Sequence, residues 1–295
     1  MTATTIPQTH AVNVFDYIDP PTPDTVDRHR TRWHYEVARR HTIMLSRTGS
    51  ALYGTSLENT DLDYQGVCIE PPEVALGVAT RVVRTFEQFQ YSTAPVGTKT
   101  PPGGIDLTVY GFGKFIQLCA KGDPNMIGLL FAPRSLMGIH TEFWDIVTSQ
   151  SNLFLSRKAG ERYLNYLRNQ VAKYLTHDQS PRPELVARYG WDTKAGHHAL
   201  RIAIQGRQLM GMGFLKQPMF ESDRQLLLDI RQGHYSKDQV LDMVKGVSRD
   251  LERISCESPL AEDVDFDQLN TWVANMYRAW WSHNDHKSLL HPMPL

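Results

Sequence analysis

Apolar positions along this chain change their spacing near residue 141. Between residues 41 and 110 they come in short β-branched runs broken by Gly, Ser, Thr and Pro, the pattern of strands. Residues 41–46 (HTIMLS) read as a buried strand that Thr48, Gly49 and Ser50 break. Residues 63–69 alternate toward Val67 and Ile69 as a second strand, and residues 80–91, β-branched and aromatic, as a third. Residues 94–104 hold three Pro and three Gly and read as a loop, after which residues 105–110 resume as a strand. Over residues 111–121, Phe112, Phe115, Ile116, Leu118 and Cys119 recur at helical spacing, and Gly122 with Pro124 ends that helix. From about Thr141 the spacing is helical, over 160–176, 193–212, 221–232, 237–254 and 266–283. A further helix is expected over 23–40, and the Thr- and Pro-rich residues 1–24 read as an irregular lead-in. The pattern predicts an α+β fold. A mixed sheet with helices packed on one face occupies about 25–140, and an α-helical domain occupies 141–295.

Composition narrows the partners. Of 295 residues 41% are hydrophobic and 21% charged, with a net charge of −1. That balance suits an ordinary globular chain and excludes a basic coat for non-specific DNA binding, while leaving room for a local basic cleft. Cys68, Cys119 and Cys256 are far apart and form no C-x-x-C pair. A zinc ribbon and a thioredoxin-type motif are therefore excluded, and a reducing, cytoplasmic setting is expected. Cys68 and Cys119 sit in apolar stretches and are expected to be buried. No apolar run approaches the ~18 residues of a membrane span, and the N-terminus lacks a signal-peptide layout.

The chemistry is concentrated between residues 49 and 67. A strand runs into Gly49-Ser50, where a helix is expected to begin. Backbone N–H groups at such a turn can hold phosphate oxygens, and Ser50 adds a hydroxyl donor. Gly49 is expected to tolerate no side chain, so that the backbone can approach a phosphate. Asp61 and Asp63 follow, flanking one apolar residue. At i and i+2 on a strand they face one spot. Two carboxylates that close repel unless a cation lies between them, and hard oxygen ligands suit Mg²⁺. Glu58 and Glu70, which flank the motif, are expected to be solvated.

The string Gly49-Ser50, Tyr53-Gly54-Thr55, Asp61-x-Asp63-x-x-Gly66-Val67 resembles the DNA polymerase β-type nucleotidyltransferase superfamily, and within it the RlaP-like nucleotidyltransferases. Asp106-Leu-Thr-Val-Tyr110, Lys121-Gly-Asp-Pro124 and Trp191-Asp-Thr-Lys194 with His198, Arg201 and Arg231 resemble the same branch, so that the likeness spans about 42–235. The resemblance implies a nucleotidyltransferase palm over 25–140, with the helical domain closing the nucleotide cleft. It implies a third catalytic carboxylate at Asp106. It implies two Mg²⁺ ions (or Mn²⁺) on the three aspartates. It also implies an NTP substrate with a hydroxyl acceptor, an RNA end ahead of a protein or a small molecule. A non-catalytic regulatory or antitoxin-like binding protein of the same fold is the competing reading. Ala51 stands where the resemblance puts a basic residue, and Arg47 is the nearby substitute.

The helix over 193–212 carries a second signal. At 100° per residue, Lys194, His198, Arg201, Gln205 and Gln208 fall within about 80° of one another, and apolar residues cover the other sides. No acid lies on that stripe. It reads as a wall for triphosphate or an RNA backbone facing the three aspartates, with His198 making binding pH-dependent near neutrality. Trp272, Tyr277, Trp280 and Trp281 are expected in the core.

Overall fold

The computed structural model describes residues 11–21, 29–57, 60–77, 86–95, 97–98, 100–176 and 179–288, the side chains of 284–288 excepted. Five strands form one mixed sheet: β1 (Thr42–Arg47), β2 (Leu62–Cys68), β3 (Gln88–Ser92), β4 (Ile105–Gly111) and β5 (Met137–His140), in the order β3-β4-β2-β1-β5. Only β2 and β4 run parallel; the other neighbours are antiparallel. The expected third strand begins at Gln88, and residues 80–85 of that expectation lie outside the described residues, as does Glu58. The strand β5 was not expected, since four residues ending at a Thr leave too short a pattern to read.

Helices α1 (Arg32–His41), α2 (Gly49–Tyr53), α3 (Pro72–Ala75), α4 (Phe112–Ala120), α5 (Pro124–Leu130) and α6 (Glu142–Ser149) are interleaved with the sheet. Two apolar clusters lie on its two sides. Ile43, Val67, Phe112, Phe115 and Trp144 belong to the larger one, which runs on without a break into Leu200 and Leu251 of the helical half. Leu45, Tyr64, Leu107 and Val109 pack with Phe15 and with Tyr35 of α1 in the smaller one. Along β4 the burial alternates strictly, Ile105, Leu107 and Val109 inward and Asp106, Thr108 and Tyr110 toward the other face. That alternation decides which side chains of the sheet are left for chemistry.

The helical half consists of α7 (Lys158–Gln170), running into a π-helical turn Val171–Thr176, then α8 (Pro183–Tyr189), α9 (Thr193–Met212), α10 (Glu221–Arg231), α11 (Lys237–Ser255) and α12 (Phe266–Ser288). The helix α9 is central and packs against α7, α10 and α11. Its ends follow from local chemistry: the Asp192 carboxylate accepts from the Ala195 N–H, and Gly213 closes the other end at φ 77°. Ser236 and Gln239 form a capping box on α11. No described helix is long and apolar enough to cross a membrane. Cys68 and Cys119 are buried free thiols.

Helix α12 returns to the sheet and corrects one expectation. Glu70 is buried, not solvated. Tyr277 Oη donates to Glu70 Oε2 at 2.8 Å, the Phe112 N–H donates to the same oxygen at 3.2 Å, and Trp281 Nε1 donates to the Glu70 carbonyl at 2.8 Å. Burial raises the Glu70 carboxyl above the usual range, and these hydrogen bonds partly offset it. Tyr277 and Trp281 come from more than 200 residues away, so local sequence held no sign of them. Tyr277→Phe is expected to lower stability by about 1–3 kcal/mol in chemical denaturation, because the hydrogen bond to the buried acid is lost together with the one Tyr277 Oη accepts from the Gly113 N–H.

Candidate active site

The sheet places the acids. In parallel register, Asp63 of β2 lies beside Asp106 of β4. Alternation turns both away from the smaller core, together with Gln65 and Thr108. Asp61, just before β2, completes a group in which one oxygen from each of Asp61, Asp63 and Asp106 lies within 4.8 Å of the others. Thr100, in the loop before β4, donates to Asp106 Oδ1 at 2.8 Å and leaves Oδ2 open to other contacts. Burial, then the negative charges of Asp61 and Asp106, push the Asp63 carboxyl up to about 6, while Lys194 and Arg47 pull it down. Three half-buried carboxylates this close are a hard oxygen donor set. They fit Mg²⁺ or Mn²⁺, whose charge would offset the repulsion acting on Asp63.

The Gly-Ser turn lies directly against this group. Gly49 has φ +58°, and a Cβ there would collide with Asp63 Oδ2. The intolerance expected of Gly49 thus has a cause on the protein itself, a carboxylate packed on the turn. The Thr48 N–H donates to the Asp63 carbonyl at 2.9 Å and ties turn to strand. Ser50 opens into the same cleft, its Oγ 3.2 Å from Ser56 Oγ. Gly49→Ala is expected to cost roughly 1–2 kcal/mol of stability for the left-handed backbone alone. It also displaces Asp63, so transfer activity is expected to fall more than tenfold in a protein that still unfolds cooperatively.

The cleft holds about 590 Å³ and brings elements of both halves together. Its lining includes Gly49, Ser50, Asp61, Asp63 and Asp106 on one side and Lys194, His198 and Arg201 of α9 on the other. Gln205 is buried and accepts from Arg201 Nη1 at 2.6 Å, whereas Gln208 turns away and accepts from the Lys216 N–H. Arg201 is only 3% exposed. Its guanidinium lies 3.8 Å from the centre of the Tyr53 ring and donates from Nη2 to His198 Nδ1 at 3.0 Å. No carboxylate pairs with it among the described residues. A guanidinium removed from water without an anion is costly, and an anion in the cleft would compensate it.

His198 corrects a second expectation. Burial, then the charge of Arg201, lowers its pKa to about 2. The imidazole is neutral at all ordinary pH, so it brings no titration near neutrality. Because Arg201 can only donate, Nδ1 is the acceptor and the ring proton sits on Nε2, 3.3 Å from Tyr166 Oη.

Sequence reasoning gave no site role to other lining residues. Arg182 is held by the buried Asp192, whose Oδ2 accepts from it at 2.8 Å and from Ser180 Oγ at 2.5 Å. Arg231 reaches the cleft from the end of α10, within electrostatic range of both Arg182 and Asp61. Tyr166, Gln170 and Tyr174 line it from α7 and the π turn, and Asn125 from α5. The half-buried spacing of 166, 170 and 174 was the available signal, and the charge-based projection had no reason to weigh neutral residues.

A Gly-Ser turn after the first strand, an Asp-x-Asp entering the second and a third Asp on its parallel neighbour form an arrangement that resembles the nucleotidyltransferases of the polymerase β type. The chain belongs to the RNA repair pathway DNA polymerase beta family, RlaP, whose family model matches residues 24–275. It is 27% identical over 135 residues to an uncharacterized 38.9 kDa protein from the nrdC–mobD intergenic region of Enterobacteria phage T4. That match covers 45% of this chain and 38% of the phage protein. A solved nucleotidyltransferase-like protein from Exiguobacterium sibiricum 255-15 aligns with 76% of this chain and 72% of its own length, at 11% identity and a TM-score of 0.27.

Proposed function

We propose that the cleft transfers a nucleoside monophosphate from an NTP to a hydroxyl acceptor, an RNA end before any other, with release of pyrophosphate. The observation that carries this reading is three carboxylates and a buried, acid-free arginine lining one cleft from opposite sides. Asp61, Asp63 and Asp106 would hold Mg²⁺ or Mn²⁺, which when bound neutralises triphosphate charge and favours the ionised acceptor hydroxyl. Asp106 Oδ2 would take the acceptor's proton, a reading supported by Thr100 occupying only Oδ1. Gly49 and Ser50 offer donors to the triphosphate beside Asp63. Lys194 and Arg201 offset its charge from across the cleft, and neutral His198 fixes the Arg201 fork. In this reading residues 25–140 are the catalytic unit and 141–295 close the nucleotide cleft. The family's description supports RNA as acceptor, and a cytoplasmic setting supplies both NTP and RNA.

The test is incubation of the purified protein with α-labelled NTPs, Mg²⁺ and RNA oligonucleotides bearing free hydroxyl ends. Label on the oligonucleotide with stoichiometric pyrophosphate is the expected result. Label on no acceptor, together with no measurable NTP binding, would remove the proposal and favour a regulatory binding protein.

A further inference from the structure

The charges of the cleft are segregated. Its arginines and lysine sit at the start of α8, on α9 and at the end of α10. The wall made by α7 and the following π turn instead presents Tyr166, Gln170 and Tyr174, two aromatic rings and an amide with no charge. All three are half-buried, while Arg168, Asn169, Ala172 and Lys173 between them face solvent. In a continuous α-helix, residues eight apart have rotated about 80° away from one another. The π turn from Val171 widens the helix at that point, which opposes the drift and keeps Tyr174 on the cleft side with Tyr166.

The hydrogen-bond polarity of this wall is fixed from behind. Arg201 Nη2 donates to His198 Nδ1, so His198 Nε2 carries the ring proton and donates to Tyr166 Oη. The phenol oxygen is therefore an acceptor toward His198, and its own hydrogen remains to be donated elsewhere. The Gln170 amide supplies both donors and an acceptor. One face of the Tyr174 ring is covered by Lys173 Nζ, 5.1 Å from the ring centre. The ring also lines the cleft.

We propose that Tyr166, Gln170 and Tyr174 form the subsite for the nucleobase of the donor nucleotide, Tyr174 stacking on its plane and Tyr166 with Gln170 bonding its polar edge. This rests on the nucleotidyltransferase reading of the same cleft. Phosphates gain from the cations and the aspartate-bound metal, whereas a base is planar and neutral and gains nothing from them. It gains from aromatic faces and from amide and hydroxyl groups of set polarity. The hydrogen-bonded chain from Arg201 through His198 to Tyr166 makes the neutral wall continuous with the phosphate wall, as one nucleotide lying across both requires.

The test separates base from phosphate. Binding to the full chain in Mg²⁺ is measured by calorimetry for the α,β-methylene analogues of the four NTPs and for inorganic tripolyphosphate, which has no base. Gln170→Ala with Tyr174→Ala is expected to weaken the nucleotide analogues at least about tenfold, with tripolyphosphate affinity held within about twofold. Tyr174→Phe alone is expected to keep wild-type affinity, and Gln170→Ala alone to change the ranking of the four bases. Unchanged nucleotide affinity in the double variant overturns the subsite. So does an equal loss for nucleotide and tripolyphosphate, which would mark general damage to the cleft. A loss confined to an RNA oligonucleotide overturns its assignment to the donor. Wild-type protein that binds neither analogue nor tripolyphosphate instead overturns the nucleotidyltransferase reading, and the subsite with it.

Discussion

Asp63→Asn is expected to reduce nucleotidyl transfer by about a thousandfold or more while making the metal-free protein more stable above pH 6. The loss follows from removing one of three carboxylates whose oxygens lie within 4.8 Å. The gain follows from charge. Burial first, then Asp61 and Asp106, raise the Asp63 carboxyl to about 6 from its ordinary 3.8. The folded state therefore holds a proton there that the unfolded state has released between about pH 4 and 6. Stability from that proton is complete below about pH 4 and is lost as pH rises through 6. The asparagine variant has no such loss. Melting curves of the two metal-free proteins should coincide near pH 4 and separate by a few degrees at pH 7 to 8. Saturating Mg²⁺ should reverse the order at pH 8, because only the wild type gains the full binding free energy. A variant that melts far below wild type at pH 8 without metal would make Asp63 a structural acid.

Arg201→Met is expected to weaken NTP binding by roughly 10- to 100-fold with a loss of stability of only about 1–3 kcal/mol. The guanidinium is 3% exposed, stacked on Tyr53, and bonded to Gln205 and His198, both neutral. Truncating one half of a buried ion pair costs about 3–5 kcal/mol because a charge is left behind. Here no carboxylate is paired with it among the described residues, so methionine leaves no orphaned charge and keeps the aliphatic stem, and the stability cost is that of Gln205 Oε1 and His198 Nδ1 losing their donor. The affinity lost is that of a charge-assisted hydrogen bond, about 1.5–3 kcal/mol. Titration with an NTP and Mg²⁺, alongside denaturant unfolding, separates the two quantities. A large loss of stability with unchanged nucleotide affinity would place Arg201 in the core and outside the site.

The aspartates, the Gly-Ser turn and the stripe on α9 were legible because each depends on local spacing. Period two sets Asp61 and Asp63 on one side, and period 3.6 aligns Lys194, His198 and Arg201. Protonation was not legible. Histidine alone suggests titration near neutrality, and only the buried neighbourhood of His198, with Arg201 at 3.0 Å, lowers it to about 2. Gly49 was legible as a position for glycine, while the group that excludes a side chain proved to be Asp63.

By itself, then, the sequence determined four of the five strands and the longer helices, the buried cysteines, the paired acids and the cationic helix, since all of these are written in periodicities of a few residues. The tertiary structure decided what comes from long range. The parallel register of β2 and β4 put Asp106 beside Asp63 across an intervening helix and strand. The return of α12 buried Glu70 under Tyr277. The packing of α7, α9 and α10 brought Tyr166, Arg201 and Arg231 to one cleft. Such contacts arise when separate apolar faces find one another. Many residues satisfy the same apolar pattern, so the pattern fixes which faces are buried and leaves their partners to the folded chain.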